Sequence, residues 1–339
     1  MVQKIDISTS TILRFVLIIL ALFFLFLIRG ILLMLFVALI IASAVYEPVD
    51  WLARHRVRRG LGATIVYLVI ILFLALFVYI VFPPLAGQIK ILAVNLTNYL
   101  TNLGASVNEL QHKISLPTLQ QILNNTSQQL SSAATNIFGT AINIFGGIVS
   151  ALFIFVISFY LVVQDKGIKK FIANITPPHY RPYLMNLTER IQSKMGCWLR
   201  GQLILMLLVG VLDFIGLTIL KVKFALTLAL FAALLEIVPY IGPVLGAVSA
   251  VALALLQSPF LALLVVALFS VVQQFENYIL APLVMRKVIG LNPLVILISM
   301  IIGGKLGGIL GVVIAVPLVA AASVFFGDMF QKEDKEEAK

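Results

Sequence analysis

Four ionisable side chains stand inside stretches that are otherwise apolar: Asp213 in 202–220, Glu236 in 224–257, Glu276 in 260–282 and Lys305 in 293–326. A charge at bilayer depth is expensive, so such groups are candidates for pairing, proton exchange or contact with a polar cargo. Gln273 and Gln274 precede Glu276 and Asn277 follows it. Gln273, Glu276 and Asn277 fall at i, i+3 and i+4, which puts these three on one helical face. Glu236 immediately precedes a knot containing Pro239, Tyr240, Gly242 and Pro243, and Lys305 lies between Gly303-Gly304 and Gly307-Gly308. A helix broken at such a knot offers free N–H groups to an anion or an oxygen-rich ligand, and free carbonyls to a cation. Together these groups can line a small polar cavity. Each also has a plainer alternative. Asp213 can pair with Lys221 or Lys223, Glu276 with Arg286 or Lys287, and Lys305 with Glu236 or Glu276.

The two knots read as one device written twice. EIVPYIGPVLGAV (236–248) aligns with IIGGKLGGILGVV (301–313) at a constant offset that sets Pro239 against Gly304, Gly242 against Gly307 and Gly246 against Gly311. Lipid does not tolerate the unpaired backbone of a broken helix, so each knot must face protein or a wet cavity. Interrupted hydrophobic segments in corresponding positions of two halves point to a transporter's binding site.

The elements that position these residues follow from composition. Hydrophobic residues make up 61% of the chain and charged ones 11%, with a mean hydropathy of +1.11, outside the range of soluble domains. The fold expected is all-α, a polytopic helical membrane protein. The net charge of +10 is concentrated in short connections such as Arg54, Arg56, Arg58 and Arg59, the pattern of cytoplasmic loops rather than of nucleic-acid binding. Cys197 is the only cysteine, which excludes an intramolecular disulfide and a cysteine-cluster metal site. The sequence has no phosphate-binding glycine loop, and its histidines, His55, His112 and His179, all fall in connections. No enzyme, cofactor or metal is expected, so transport would run downhill or on a gradient.

Charge also sets the threading. The apolar run 12–46 would extend roughly 50 Å as one helix, beyond a hydrocarbon core of about 30 Å. Two short spans turning at Arg29-Gly30 are the economical reading, and one long tilted helix the alternative. N-terminal transmembrane helices (1–82) form a scaffold, with 47–60 inside. The segment 83–137 carries only Lys90 and Lys113 as basic residues and is read as external. Its apolar residues recur every three or four positions, as in amphipathic helices. Residues 138–200 hold a returning span and a basic cytoplasmic connection. The halves of 224–257 are short for a crossing. As a re-entrant hairpin, 224–257 joins span 202–220 in one unit (201–257). Span 260–282 and hairpin 293–326 make a second unit (258–326) running the opposite way, which is an inverted repeat. The charged tail 327–339 ends inside, as does the N-terminus.

These motifs resemble a known family. Arg200-Gly201-Gln202, the Glu236–Pro243 knot, Gln274-Phe-Glu276-Asn277 with Pro282, and Asn292-Pro293 leading through Gly303–Gly311 to Pro317 are similar to the autoinducer-2 exporter family, the PerM-type bacterial permeases. The resemblance spans essentially the whole chain and is most specific over 200–320. It implies a secondary exporter of the bacterial inner membrane, a homo-oligomer and in particular a pentamer, moving its transport domain as an elevator. It further implies a furanone-type quorum-sensing signal, autoinducer-2, as cargo, with sodium/proton antiport assigned to other members. Asn292 departs from the histidine the family often shows there, which removes a proton-sensitive group. Outside transport, a membrane scaffold with external recruiting helices is the remaining class.

Overall fold

The computed structural model describes residues 9–81, 147–164, 176–285 and 292–337, together with the single residues 83 and 174. The expected external helices of 83–137 lie outside the described residues, as do Arg286 and Lys287. Among the described residues there are helices and no strand. We number them α1 (Thr9–Leu27), α2 (Arg29–Arg54), α3 (Arg59–Val81), α4 (Gly147–Val163) and α5 (Arg181–Ile219). After them come α6 (Ala225–Leu235), α7 (Ile241–Leu255), α8 (Pro259–Phe275), α9 (Ala281–Val284) and α10 (Pro293–Glu337). A π-helical turn, Glu276–Leu280, joins α8 to α9.

Among the described residues five stretches are long and apolar enough to cross a membrane by length and composition: α2, α3, α5, α8 through α9, and 294–328 of α10, the last broken at Gly308. In lipid every backbone N–H must be satisfied within its own segment, which is why these runs are helical despite their many β-branched residues. The chain is a multi-pass membrane protein.

At the N-terminus the run is two consecutive helices, α1 and α2, separated by the single non-helical residue Ile28 (φ −90°, ψ 8°). Ile28 N–H bonds to the Phe24 carbonyl and Leu32 N–H to the Ile28 carbonyl, each at 3.0 Å, so α1 runs into α2. A single glycine costs a helix only about 1 kcal/mol, too little for Gly30 to break the run. Arg29 is accommodated by stacking on Phe26, 4.1 Å from the ring centre.

The bundle is organised by small residues. At Gly196 of α5 a Cβ would overlap the Ser43 carbonyl of α2. Around that crossing Met195 and Trp198 pack with Ile40 of α2 and Met300, Ile314 and Ala315 of α10. A second core joins Leu217, Leu228, Ala250, Ala254 and Val265 of α5 to α8. Tyr67 of α3 and Ser158 of α4 are hydrogen-bonded to each other in the interior, which satisfies two polar groups that lipid would leave stranded.

Both knots are tight hairpins. At Gly242 a Cβ would overlap the Leu235 carbonyl, and at Gly246 it would lie 2.9 Å from the Ala232 Cβ. In α10 the chain leaves helical geometry at Gly308, φ 61° and ψ −144°. There the Cβ positions of Gly303 and Gly311 would each overlap the other's carbonyl, so α10 folds back on itself. The crossings are equivalent in kind, glycine on opposing backbone, but the turns fall out of register with the sequence alignment. Tyr240, which aligns with Lys305, holds the turn of the first hairpin with φ 64°, whereas the second turns at Gly308. At 1.5 Å per residue α6 and α7 extend only about 16 and 22 Å, short of a bilayer core.

Candidate acidic site at the first knot

α6 ends at Glu236, where the Pro239–Pro243 knot prevents further helix: proline lacks the N–H a helix interior needs. The exposed ends of α6 and α7 need partners. Gln202 of α5 supplies one, its Nε2 donating to the Glu236 carbonyl at 2.6 Å. Gln202 is itself buried, 4% exposed. Glu276 opens the π turn, and the cause lies downstream. Pro282 can neither donate to the Tyr278 carbonyl nor pack closely against it, so the chain widens before it.

These elements converge on three carboxyl groups. Asp213, Glu236 and Glu276 are buried at 1%, 2% and 7% exposure. The Glu236 and Glu276 carboxyls are hydrogen-bonded to each other. A carboxylate only accepts, so carboxyls paired in this way can share a proton. Glu276 also accepts from Gln273 Nε2 at 3.0 Å, and the same nitrogen reaches Asn277 Oδ1 at 3.4 Å. Asp213 lies close enough to act electrostatically on Glu236 and to be acted on by Glu276, while its Oδ1 is buried with no hydrogen-bond partner. Burying a carboxyl oxygen without a partner is costly, and the atom is available to a polar ligand.

The sequence therefore selects most of this cluster. The structure brings together Asp213, Glu236, Gln273 and Glu276, with exposed Asn277 at their edge, and leaves Gln274 exposed. Neither Lys221 nor Lys223 makes an ion pair with Asp213 among the described residues. Lys305 is exposed and forms no described ion pair with Glu236, whose side-chain partner is Glu276. The second turn instead lies against α2, since a Cβ at Gly307 would fall 2.5 Å from Leu33 Cδ1. The first knot touches the α10 core through Val238. Among the described residues no group of three or more His, Cys, Asp or Glu is placed to hold a metal ion. Gln202 is the site residue that charge and knot signals overlook; its own signal is a polar residue opening the apolar run 202–220.

A cavity of about 660 Å³ lies on the other side of α5, between α2 and α4, lined by Ser43, Glu47, Asp50, Gln164, Gln192 and Arg200 among others. Arg200 and Gln202, two residues apart, point to opposite sides of α5 because each residue turns the helix by about 100°. The cavity charges are paired on the spot, Arg200 with Glu47 at 2.7 Å and Arg54 with Asp50 at 2.8 Å.

Comparison with known proteins adds an independent line. A family model described as AI-2E family transporter matches residues 13–331. YueF of Bacillus subtilis, provisionally named a transport protein, is 31% identical over 310 residues, covering 86% of this chain and 83% of that protein. The provisionally named transport protein sll0060 of Synechocystis is 27% identical over 294 residues, 84% of each chain. TqsA of Escherichia coli, named an AI-2 transport protein, is 27% identical over 303 residues, covering 86% of this chain and 82% of TqsA.

Proposed function

We propose a function from one premise: the chain belongs to the AI-2E transporter family. It is a secondary transporter that exports a small polar metabolite, and the cargo is the furanone-type signal autoinducer-2, a reading supported by the naming of TqsA as an AI-2 transport protein. The observation that supports this reading most is the buried cluster Asp213–Glu236–Glu276 with Gln202 and Gln273, set where a helix breaks inside an apolar bundle. Carboxyl and amide groups there can accept and donate hydrogen bonds to the hydroxyls of a neutral, oxygen-rich solute. The buried, unpartnered Oδ1 of Asp213 offers such a solute a hydrogen-bond acceptor.

In this account α5 to α10 carry the site and α2 to α4 form the scaffold against which it moves as an elevator. The glycine crossings favour rigid hairpins, since arms seated backbone on backbone move as one body. Two inverted units, a homo-oligomer such as a pentamer, residence in the bacterial inner membrane and both termini in the cytoplasm complete the proposal. The distribution of basic residues supports that orientation. Purified protein in sealed liposomes loaded with the furanone signal tests it. Saturable efflux above protein-free vesicles is expected, and a membrane scaffold would give none.

One observation favours a second reading, cation/proton antiport. The paired Glu236 and Glu276 carboxyls can share a proton, and no described basic side chain is ion-paired with the cluster. Carboxyls in that state can exchange the proton for an entering cation. Sodium and pH gradients imposed on the same vesicles separate the two readings, since an uncoupled neutral exporter responds to neither.

A further inference from the structure

The link between α2 and α3 closes with a defined hydrogen-bond pattern. Arg56 N–H bonds to the Ala53 carbonyl at 3.2 Å and Val57 N–H to the Leu52 carbonyl at 3.2 Å, with Arg56 at φ 67°. This is a Schellman closure, whose left-handed position ordinarily falls to glycine. Here it holds an exposed arginine. A helix C-terminus does favour a cation, and Lys221 ends α5 in the same way at φ 56°. That accounts for Arg56 in part, but not for Arg58, which is also exposed two residues on.

The acids of this face are already engaged. Asp50 pairs with Arg54 at 2.8 Å and with Arg59 at 3.7 Å, and Glu47 pairs with Arg200 at 2.7 Å. Arg56 and Arg58 make no ion pair among the described residues. From Arg58 an apolar stripe runs down the outside of α3 at helical spacing: Leu61, Ile65, Leu68 and Leu72, exposed by 58%, 50%, 61% and 65%. Trp51, 60% exposed, stands one turn before the link, in the place an interfacial aromatic takes.

We propose that the α2–α3 link is a binding site for an anionic phospholipid, with Arg56 and Arg58 on the phosphodiester and an acyl chain along Leu61, Ile65, Leu68 and Leu72. A soluble phosphate would meet the two charges and leave the stripe uncovered, and a zwitterionic lipid would cover the stripe without matching the charge. An anionic lipid does both. Each arginine near a membrane surface favours anionic lipid by about 1 kcal/mol, or about fivefold.

The two tryptophans, Trp51 and buried Trp198, make the test direct. Full-length protein is reconstituted in phosphatidylcholine containing a minor fraction of bromine-labelled phosphatidylglycerol, or the same fraction of bromine-labelled phosphatidylcholine, and tryptophan quenching is measured. Quenching of the Trp51 emission should exceed the bulk mole fraction for phosphatidylglycerol only. Selectivity should fall about fivefold in Arg58→Gln and about as much in Arg56→Gly. Arg56→Gly suits the left-handed turn better than arginine does, so its loss of selectivity is not a folding defect. Equal quenching by the two lipids, selectivity unchanged in both variants, or displacement by soluble glycerol phosphate would each overturn the proposal.

Discussion

The carboxyl group of Glu236, at the end of α6, is hydrogen-bonded to that of Glu276, at the start of the π turn. Two elements far apart in sequence thus meet at paired carboxyls. Glu236→Gln can keep the bond, because its amide donates to the Glu276 carboxylate. Its stability should therefore stay within about 1 kcal/mol of wild type, the size of an ordinary hydrogen bond. Glu236→Leu leaves the Glu276 carboxyl without this partner and should cost about 1–3 kcal/mol. Thermal unfolding in detergent of the two variants measures the difference, and equal losses would mean that the bond does not bridge the helices.

The glycines supply a graded prediction. Gly242→Ala and Gly311→Ala place a Cβ on an opposing carbonyl and should each cost about 1–3 kcal/mol through overpacking. The matching leucine substitutions, together with Gly307→Leu against Leu33, should abolish flux while membrane insertion persists. Gly30 and Gly60 have open space where a Cβ would stand, so alanine there should be neutral. Melting temperatures across the five positions check this ordering.

Gln202→Leu removes the donor to the buried Glu236 carbonyl. Leaving that carbonyl without its side-chain partner should cost about 1–3 kcal/mol and loosen the knot. Hydrogen exchange of amides 235–243 reports the loosening; unchanged exchange in Gln202→Leu would remove this residue from the site.

Orientation is tested by single cysteines in a Cys197→Ser background. Positions 100 and 258 should react with impermeant thiol reagents from outside, and 57, 180 and 334 only after permeabilisation. External labelling at 180 would reverse the threading.

Much of this was legible in the residues. Asp213, Glu236, Gln273, Glu276 and Asn277 stand out because a polar group inside an apolar run has no cheap explanation, and all five have hydrogen-bonding or electrostatic links within one cluster. The hairpins were legible because glycine and proline interrupt runs that otherwise favour helix. Partner choice was not. Lys305 carries the charge complementary to Glu236, yet the tight turn at Gly308 sets its arm against α2. The N-terminal run was read as two spans because Arg29-Gly30 resembles a break. The interruption falls at Ile28 and is one residue long, Arg29 stacks on Phe26, and Gly30 itself stays within α2. Gln202 was overlooked because an uncharged amide at the mouth of a span carries no penalty large enough to mark it.

The central claim is that a small polar solute crosses at the first knot. The most direct measurement is efflux of the furanone signal from sealed proteoliposomes containing wild type or Gly242→Leu, at equal reconstituted protein. The account predicts saturable efflux for wild type and protein-free background for the variant. Background efflux for both would contradict the cargo, and equal efflux for both would contradict the site.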